Sequence, residues 1–286
     1  MLRIALPNKG RLQEDVRGLF ADAGLEVRAR GDRALTASLG GLFEAIFVRT
    51  QDIPEFVADG AADAGVTGWD VVRESGRQLE VLLDLEFGRC RLVLANREEH
   101  PAAALESFAG MVRVATSFPR LTREFFESRG RAAEVVPVSG ATEIAPHLGI
   151  ADWVVDITST GSTLKVNGLR EVATILESSA RLVTRPGRQD RTKHLALDEL
   201  VGALSSVLRA RGKRYVMVNV PRDALSRVRE VLPGLSAPTV VELYGTPGMV
   251  AVHAVVAADT LSRTIASLKA LGGEGILVTR IERLMP

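Results

Sequence analysis

Hydrophobic and polar positions along this chain follow a repeated strand-then-helix rhythm. Leu2-Arg3-Ile4-Ala5-Leu6 reads as a first strand, which Pro7-Asn8-Lys9-Gly10 breaks. Leu12, Val16, Leu19 and Phe20 then recur at helical spacing over residues 11–23, with Gly24 as the stop. Residues 45–48 predict another strand. Asp52 reads as the cap of the next helix, with Pro54 in its first turn, Glu55 as capping-box partner and Gly60 at its end. Residues 63–68 predict a very short strand with a glycine exit, and Asp70 lies just past it. Residues 80–85 and 90–95 predict two more strands, the second carrying the chain into a second lobe.

That lobe repeats the β/α unit. A strand over 112–115 turns at Thr116-Ser117-Phe118-Pro119 into a helix containing Leu121, Phe125 and Phe126, stopped by Gly130. A strand over 134–138 precedes Gly140-Ala141-Thr142-Glu143, which opens a short helix ending near His147. A strand over 153–157 follows. These strands end in small or polar loops at Ser117, Ser139 and Thr158, and in a parallel sheet such ends share one edge, where a ligand crevice is expected. Residues 181–185 predict a strand, and 190–211 a long helix with Leu195, Leu197, Leu200, Leu204, Val207 and Leu208 on its apolar side. Two crossings between lobes imply a hinge. The tail has its own order: strands over 215–220, 239–243, 249–256 and 275–279, with helices over 223–232 and 260–271. That βαββαβ order is the ferredoxin-like motif. The expected fold class is α/β, with lobe I over 1–88 and 179–211, lobe II over 89–178 and a third domain over 212–286.

At 286 residues the chain is long for one core, in keeping with two or three domains. A net charge of +1 demands neither nucleic acid nor an anionic membrane. The single cysteine, Cys90, excludes an intrachain disulfide and a C-x-x-C metal site. No apolar run approaches about 18 residues, and the N-terminus lacks a signal-peptide pattern, so a cytoplasmic protein is expected. His100, His147, His194 and His253 do not pair at metal-ligand spacing and read as surface or packing residues. Trp69 and Trp153 read as core residues and not adenine platforms, and Cys90 as buried and not catalytic.

The chemistry concentrates between Ala151 and Lys165. Trp153-Val154-Val155 is an apolar run, Asp156 follows, and Thr158-Ser159-Thr160-Gly161-Ser162-Thr163 is a hydroxyl and glycine loop. A strand, such a loop and a helix start together make an anion cradle of N–H groups and hydroxyls. An ordinary Ser/Thr/Gly turn accounts for the same stretch. Lys9 and Arg11 sit where the first strand gives way to a helix, offering a point charge and a planar fork for phosphate oxygens; a solvated turn with two cations is the alternative.

The segment D-x-x-x-D-x-x-S-T-G-S-T-L, from Asp152 to Leu164, resembles the phosphoribosyl-diphosphate loop of the ATP phosphoribosyltransferases, the first enzymes of histidine biosynthesis. R-I-A-L-P-N-K-G-R-L (from Arg3), D-I-P-E-F-V-x-x-G-x-x-D-x-G-V-x-G (from Asp52), G-x-C-R-L-x-L-A (from Gly88), R-V-A-T-S-F-P (from Arg113) and G-x-x-E-x-A-P (from Gly140) are similar to that family's other blocks, in order. The tail resembles the regulatory domain of its long form. The implied fold is a two-lobed, periplasmic-binding-protein-like core plus a C-terminal ferredoxin-like (ACT-like) domain.

The resemblance implies that ATP and 5-phosphoribosyl 1-diphosphate give N1-(5-phosphoribosyl)-ATP and pyrophosphate, with Mg2+ as cofactor. It implies that the loop Thr158, Ser159, Thr160, Gly161, Ser162, Thr163 cradles the 5-phosphate. Asp156 would contact ribose hydroxyls or hold the metal, with an Asx turn as its alternative, and Glu143 would be the second carboxylate, with helix capping as the competitor. Lys9 and Arg11 would meet ATP or pyrophosphate; Arg49, Asp70, Thr116 and Ser117 are weaker substrate-binding candidates. Common phosphoribosyltransferases carry two adjacent acids where only Asp156 stands here, so their magnesium geometry does not transfer. Histidine is the implied inhibitor, with Asn219, Glu242, Gly272 and Gly273 as candidate contacts, and AMP-type inhibition and a dimer-to-hexamer homo-oligomer are also implied. Competing readings are a two-lobed binding protein without chemistry, which shares the architecture, and a transcriptional sensor, for which no DNA-binding module is found.

Overall fold

The computed structural model describes residues 1–29, 34–99, 111–187 and 190–285. It divides into two compact units, Met1–Val201 and Gly202–Pro286. In chain order the first unit carries β1 (Leu2–Pro7), α1 (Arg11–Asp22), β2 (Val27–Ala29), β3 (Thr36–Leu39), β4 (Phe43–Val48), α2 (Ile53–Ala58), β5 (Ala64–Gly68), α3 (Trp69–Ser75) and β6 (Glu80–Asp84). It continues with β7 (Cys90–Arg97), β8 (Val112–Thr116), α4 (Pro119–Glu127), β9 (Ala133–Pro137), β10 (Trp153–Thr158), α5 (Ser162–Val166), β11 (Leu169–Ser178) and β12 (Ala180–Thr184). The helix α6 (Arg191–Ala210) runs across the division between the units.

Two sheets organise the first unit. The seven-stranded sheet has the order β2-β3-β4-β1-β5-β12-β6, and the five-stranded sheet β11-β7-β10-β8-β9. β1 lies parallel between β4 and β5, so five of its six residues are buried, the nearly continuous apolar run of a strand covered on both faces. Val16, Leu19 and Phe20 of α1 are buried, as their spacing predicts. In the second sheet β10 is parallel to β8, and β8 to β9, which brings the predicted loops at Ser117, Ser139 and Thr158 to one edge. Phe125, Phe126 and Trp153 pack with Leu92, Leu94 and Val114 as the core beneath that sheet.

The chain passes between the sheets twice, and the two passages touch. The N–H of Leu85 donates to Ala180 O, and that of Ala180 to Phe87 O, both at 2.9 Å. β12 then inserts antiparallel between β5 and β6.

The second unit adds β13 (Lys213–Pro221), α7 (Leu225–Val231), β14 (Thr239–Glu242), β15 (Met249–Ala257), α8 (Leu261–Ala270) and β16 (Glu274–Arg280). Its sheet order is β14-β15-β13-β16, all antiparallel, as the ferredoxin-like motif requires. Val216, Val218, Val220, Val250 and Val252 pack against Val228 and Leu268 from the helices.

Several expectations are corrected. Asp52 does not cap α2: it lies in a 3-10 turn with helical dihedrals and makes no capping bond, while Glu55 is engaged by Arg77 at 2.7 Å. The short helix expected from Gly140 is a 3-10 turn over Thr142–Ile144. Leu195 is 60% exposed, off the buried stripe of α6. Trp69 is half-buried, with the Arg181 guanidinium 4.3 Å from its ring centroid, whereas Trp153 is core. Cys90 is half-buried, and His100 lies outside the described residues.

Candidate active site

The expected 158–163 loop stands at the edge where β10 ends and is shorter than predicted: Thr158 closes the strand, 159–161 form the turn, and Ser162 and Thr163 open α5. The N–H of Gly161 donates to Thr158 Oγ1 at 2.8 Å, and the Thr160 and Ser162 hydroxyls are 2.9 Å apart. Gly161 has φ +77°, a left-handed turn that an L side chain rarely adopts. α5 behind the loop has only five residues, so a macrodipole adds little; the Gly161 N–H is taken up within the turn by Thr158 Oγ1, and Ser159 and Thr160 are the loop residues that face a cavity. Beneath the loop Arg91 makes a two-pronged ion pair with Glu171, at 2.7 and 3.0 Å, across β7 and β11. A Cβ on Gly161 would lie 3.0 Å from Glu171 Oε1, so the glycine permits this close packing.

Asp156 and Glu143 form a pair of acids at the same edge. Burial pushes the Asp156 carboxyl above its usual range and the nearby Glu143 charge adds to that, while hydrogen bonds from the Ile157 N–H (2.7 Å) and the Thr142 hydroxyl pull the other way. Thr142 is buried, and Ala141 before it holds the left-handed φ +49° that aims the turn at β10. Two acids in mutual repulsion at a half-buried edge fit a divalent cation, which favours oxygen donors and takes one or two carboxylates together with phosphates. Among the described residues no three His, Cys, Asp or Glu side chains cluster to hold a metal unaided.

Two cavities border the loop, and Asp156 and Glu143 line neither of them. One, of about 700 Å3, has Arg11, Leu12, Thr50, Gly68 and Asp70 on the seven-stranded side and Ser159 and Thr160 on the other, with Arg89 and Cys90 between. The second, of about 470 Å3, is lined by Asp84, Arg89, Arg91, Ser159, Glu177 and Arg181 among others. Arg89, Cys90 and Ser159 border both. Burial raises the Cys90 thiol to about 11, with the Asp70 charge adding to it, so this is no thiolate nucleophile.

The remaining predicted residues are dispersed. Arg11 is exposed and lies 4.0 Å from Asp15 at the cavity mouth, and Lys9 and Arg49 are exposed outside the cavity linings. Asp70 is 5% exposed and accepts the Ser178 hydroxyl at 2.5 Å. Thr116 is buried, its Oγ1 accepting the Phe118 N–H at 2.9 Å, while Ser117 is exposed. In the second unit Glu242 pairs with Arg222, and Asn219 lies on the sheet beside β16. Gly272 (φ +80°) and Gly273 end α8, with the Gly273 N–H on Leu268 O at 2.8 Å, so a helix stop accounts for both. Arg89, Arg91, Arg181, Glu171 and Ser178 join the site only in the fold. Arg91 lies within the strand block beginning G-x-C-R-L; nothing local in the sequence marks its partner Glu171.

The family model described as ATP phosphoribosyltransferase matches residues 49–206, and that described as HisG, C-terminal domain, matches 210–283. The ATP phosphoribosyltransferase of Gemmatimonas aurantiaca is 68% identical over 292 residues, covering 100% of both chains. That of Natronomonas pharaonis is 49% identical over 286 residues, again covering 100% of both. Among solved structures, an ATP phosphoribosyl transferase (HisG:HisZ) complex from Thermotoga maritima aligns with TM-score 0.62 and 31% identity, over 72% of this chain and 99% of that one. With matches that run through both units, the chain belongs to the ATP phosphoribosyltransferases of histidine biosynthesis, pentosyltransferases, in the long form that carries the C-terminal domain.

Proposed function

We propose that this enzyme joins ATP to 5-phosphoribosyl 1-diphosphate, giving N1-(5-phosphoribosyl)-ATP and pyrophosphate. The observation that carries the reading is the Asp156–Glu143 acid pair set beside the 158–163 loop on one sheet edge. The loop receives the 5-phosphate on its N–H groups and hydroxyls, which places the ribose over Asp156. Adenine N1 attacks the anomeric carbon as the diphosphate leaves, and the carbon passes through a cation-like state. No protein nucleophile is needed; alignment of two polyanions and stabilisation of charge do the work. Asp156 orients ribose hydroxyls and, with Glu143, faces the developing positive charge. Mg2+, held by Asp156 and Glu143 together with substrate oxygens, would supply charge neutralisation for the leaving diphosphate. Arg11 at the mouth of the larger cavity, with Lys9 beside it in sequence, guides ATP or pyrophosphate.

Residues 1–88 with 179–211 and residues 89–178 serve as the two catalytic lobes, and 212–286 as the regulatory domain. Histidine, the end product, binds that domain and suppresses turnover, in an assembly of dimers and hexamers. The family membership of the C-terminal unit and its ferredoxin-like sheet support this reading.

An ultraviolet absorbance assay tests both parts, with purified chain, ATP, 5-phosphoribosyl 1-diphosphate, Mg2+ and pyrophosphatase, with and without histidine. Product that histidine suppresses is expected. Product indifferent to histidine would leave the C-terminal unit an assembly domain, and no product from folded protein would reject the reaction.

A further inference from the structure

The short helix α3 is tied at both ends to parts of the chain far from it in sequence. At its start the Trp69 N–H donates to Ser179 O (2.9 Å) and the Asp70 N–H to Ser178 Oγ (2.9 Å), while the Ser178 hydroxyl donates back to Asp70 Oδ1 (2.5 Å). Ser178 and Ser179 belong to the second passage between the sheets. One turn later the Glu74 carboxylate accepts the N–H groups of Arg120 (2.8 Å) and Leu121 (3.0 Å), in the first turn of α4 on the other sheet. Arg73 lies 3.7 Å from Glu124 of α4, and the Arg120 guanidinium covers Gly76, whose φ of +70° ends α3.

The first N–H groups of a helix lack partners within it and favour a negative charge. α4 has no acid in its own first turn and no side-chain cap within its N-cap residue. The cap comes instead from Glu74, in the other layer. A cap supplied from the facing layer binds the end of α4 to the spacing of the two layers. The larger cavity lies between the same two layers, with Arg11, Gly68 and Asp70 on one wall and Ser159 and Thr160 on the other.

We infer that Glu74 is a positioning residue: through α3, a strut between the second passage and α4, it holds the two layers at the separation that phosphoribosyl transfer needs. The inference deepens the proposed reaction and rests on the cleft being its site. The test pairs kinetics with a distance measurement. Spin labels at Arg28→Cys, on the seven-stranded layer, and Glu127→Cys, on α4, report the separation by pulsed electron resonance in the intact chain; Cys90, its thiol raised to about 11, reacts slowly with the label. Glu74→Ala is expected to broaden the distance distribution and raise KM for 5-phosphoribosyl 1-diphosphate about tenfold, with kcat within about threefold, because a smaller fraction of molecules is competent to bind. Glu74→Gln keeps one acceptor and should fall between, and it serves if the alanine variant does not fold. Unchanged distances overturn the inference even if KM rises, and so does an unchanged KM. Broadening in the variant of a chain that proves to have no transferase activity would reject the reaction and leave the strut supported.

Discussion

Gly161→Ala tests whether the loop geometry, and not only its composition, serves the substrate. Two effects act on the new methyl group. Gly161 has φ +77°, and placing an L residue there costs about 1–2 kcal/mol. Its Cβ would also stand 3.0 Å from Glu171 Oε1, so Glu171 must give ground and disturb its two bonds to Arg91. If the loop relaxes to escape the strain, the competent conformation falls by roughly 5- to 30-fold in population, since each 1.4 kcal/mol is about a factor of ten, and KM for 5-phosphoribosyl 1-diphosphate should rise in proportion. If the loop holds, the penalty appears as lost stability, a fall in Tm of roughly 2–8 °C for a domain of this size. Gly161→Asn separates the causes: asparagine tolerates the left-handed region but carries the same Cβ. Steady-state kinetics and thermal unfolding of both variants give the answer. An alanine variant with unchanged KM and unchanged Tm would refute the reasoning.

Two further outcomes follow from the charges. The folded-state pKa of Asp156 is raised, so its contribution to stability is fully present below the ordinary value of 3.8 and is lost as pH rises through the raised value. Asp156→Asn should therefore be more stable than the parent at neutral pH, an advantage that shrinks toward pH 4, while its turnover is abolished; a Tm series across pH reads this, and Mg2+ should raise Tm in the parent more than in the variant. Asp63 behaves oppositely. Burial raises its carboxyl, but the Lys193 ammonium at 2.7 Å and the Arg3 N–H at 2.9 Å outweigh that and hold it below 3.8, so its contribution is present above that value and lost as pH falls through the lowered one. Lys193→Ala leaves the 6%-exposed Asp63 short of its counter-charge and should destabilise the chain by about 1–2 kcal/mol at neutral pH, less than for a fully buried pair because Lys193 is half-exposed; a denaturant titration measures it.

What the sequence disclosed was local. β1, α1 and the 158–163 loop each lie within one short stretch whose period or hydroxyl pattern is readable alone. β11 escaped notice because bulges between Glu171 and Ala173 and between Thr174 and Leu176 break its alternation. α3 escaped because W-D-V-V-R-E-S is too short to display a helical period. Asp70 looked like a ligand residue past a glycine, and only the fold reveals Ser178, 108 positions away, as its partner. Arg91 with Glu171, and Glu74 with α4, are likewise pairings that no spacing rule encodes.

The insertion of β12 between β5 and β6 has a consequence for synthesis. The seven-stranded sheet receives one of its interior strands only after every strand of the five-stranded sheet has left the ribosome. Vectorial folding from the N-terminus, the usual order for multidomain chains, therefore cannot complete the first layer first. Until Ala180–Thr184 emerges, β5 offers an unpaired edge able to template the wrong strand. The nascent chain must instead fold from the inside out, with the inserted layer closing upon itself and delivering β12 into the gap it was made to fill.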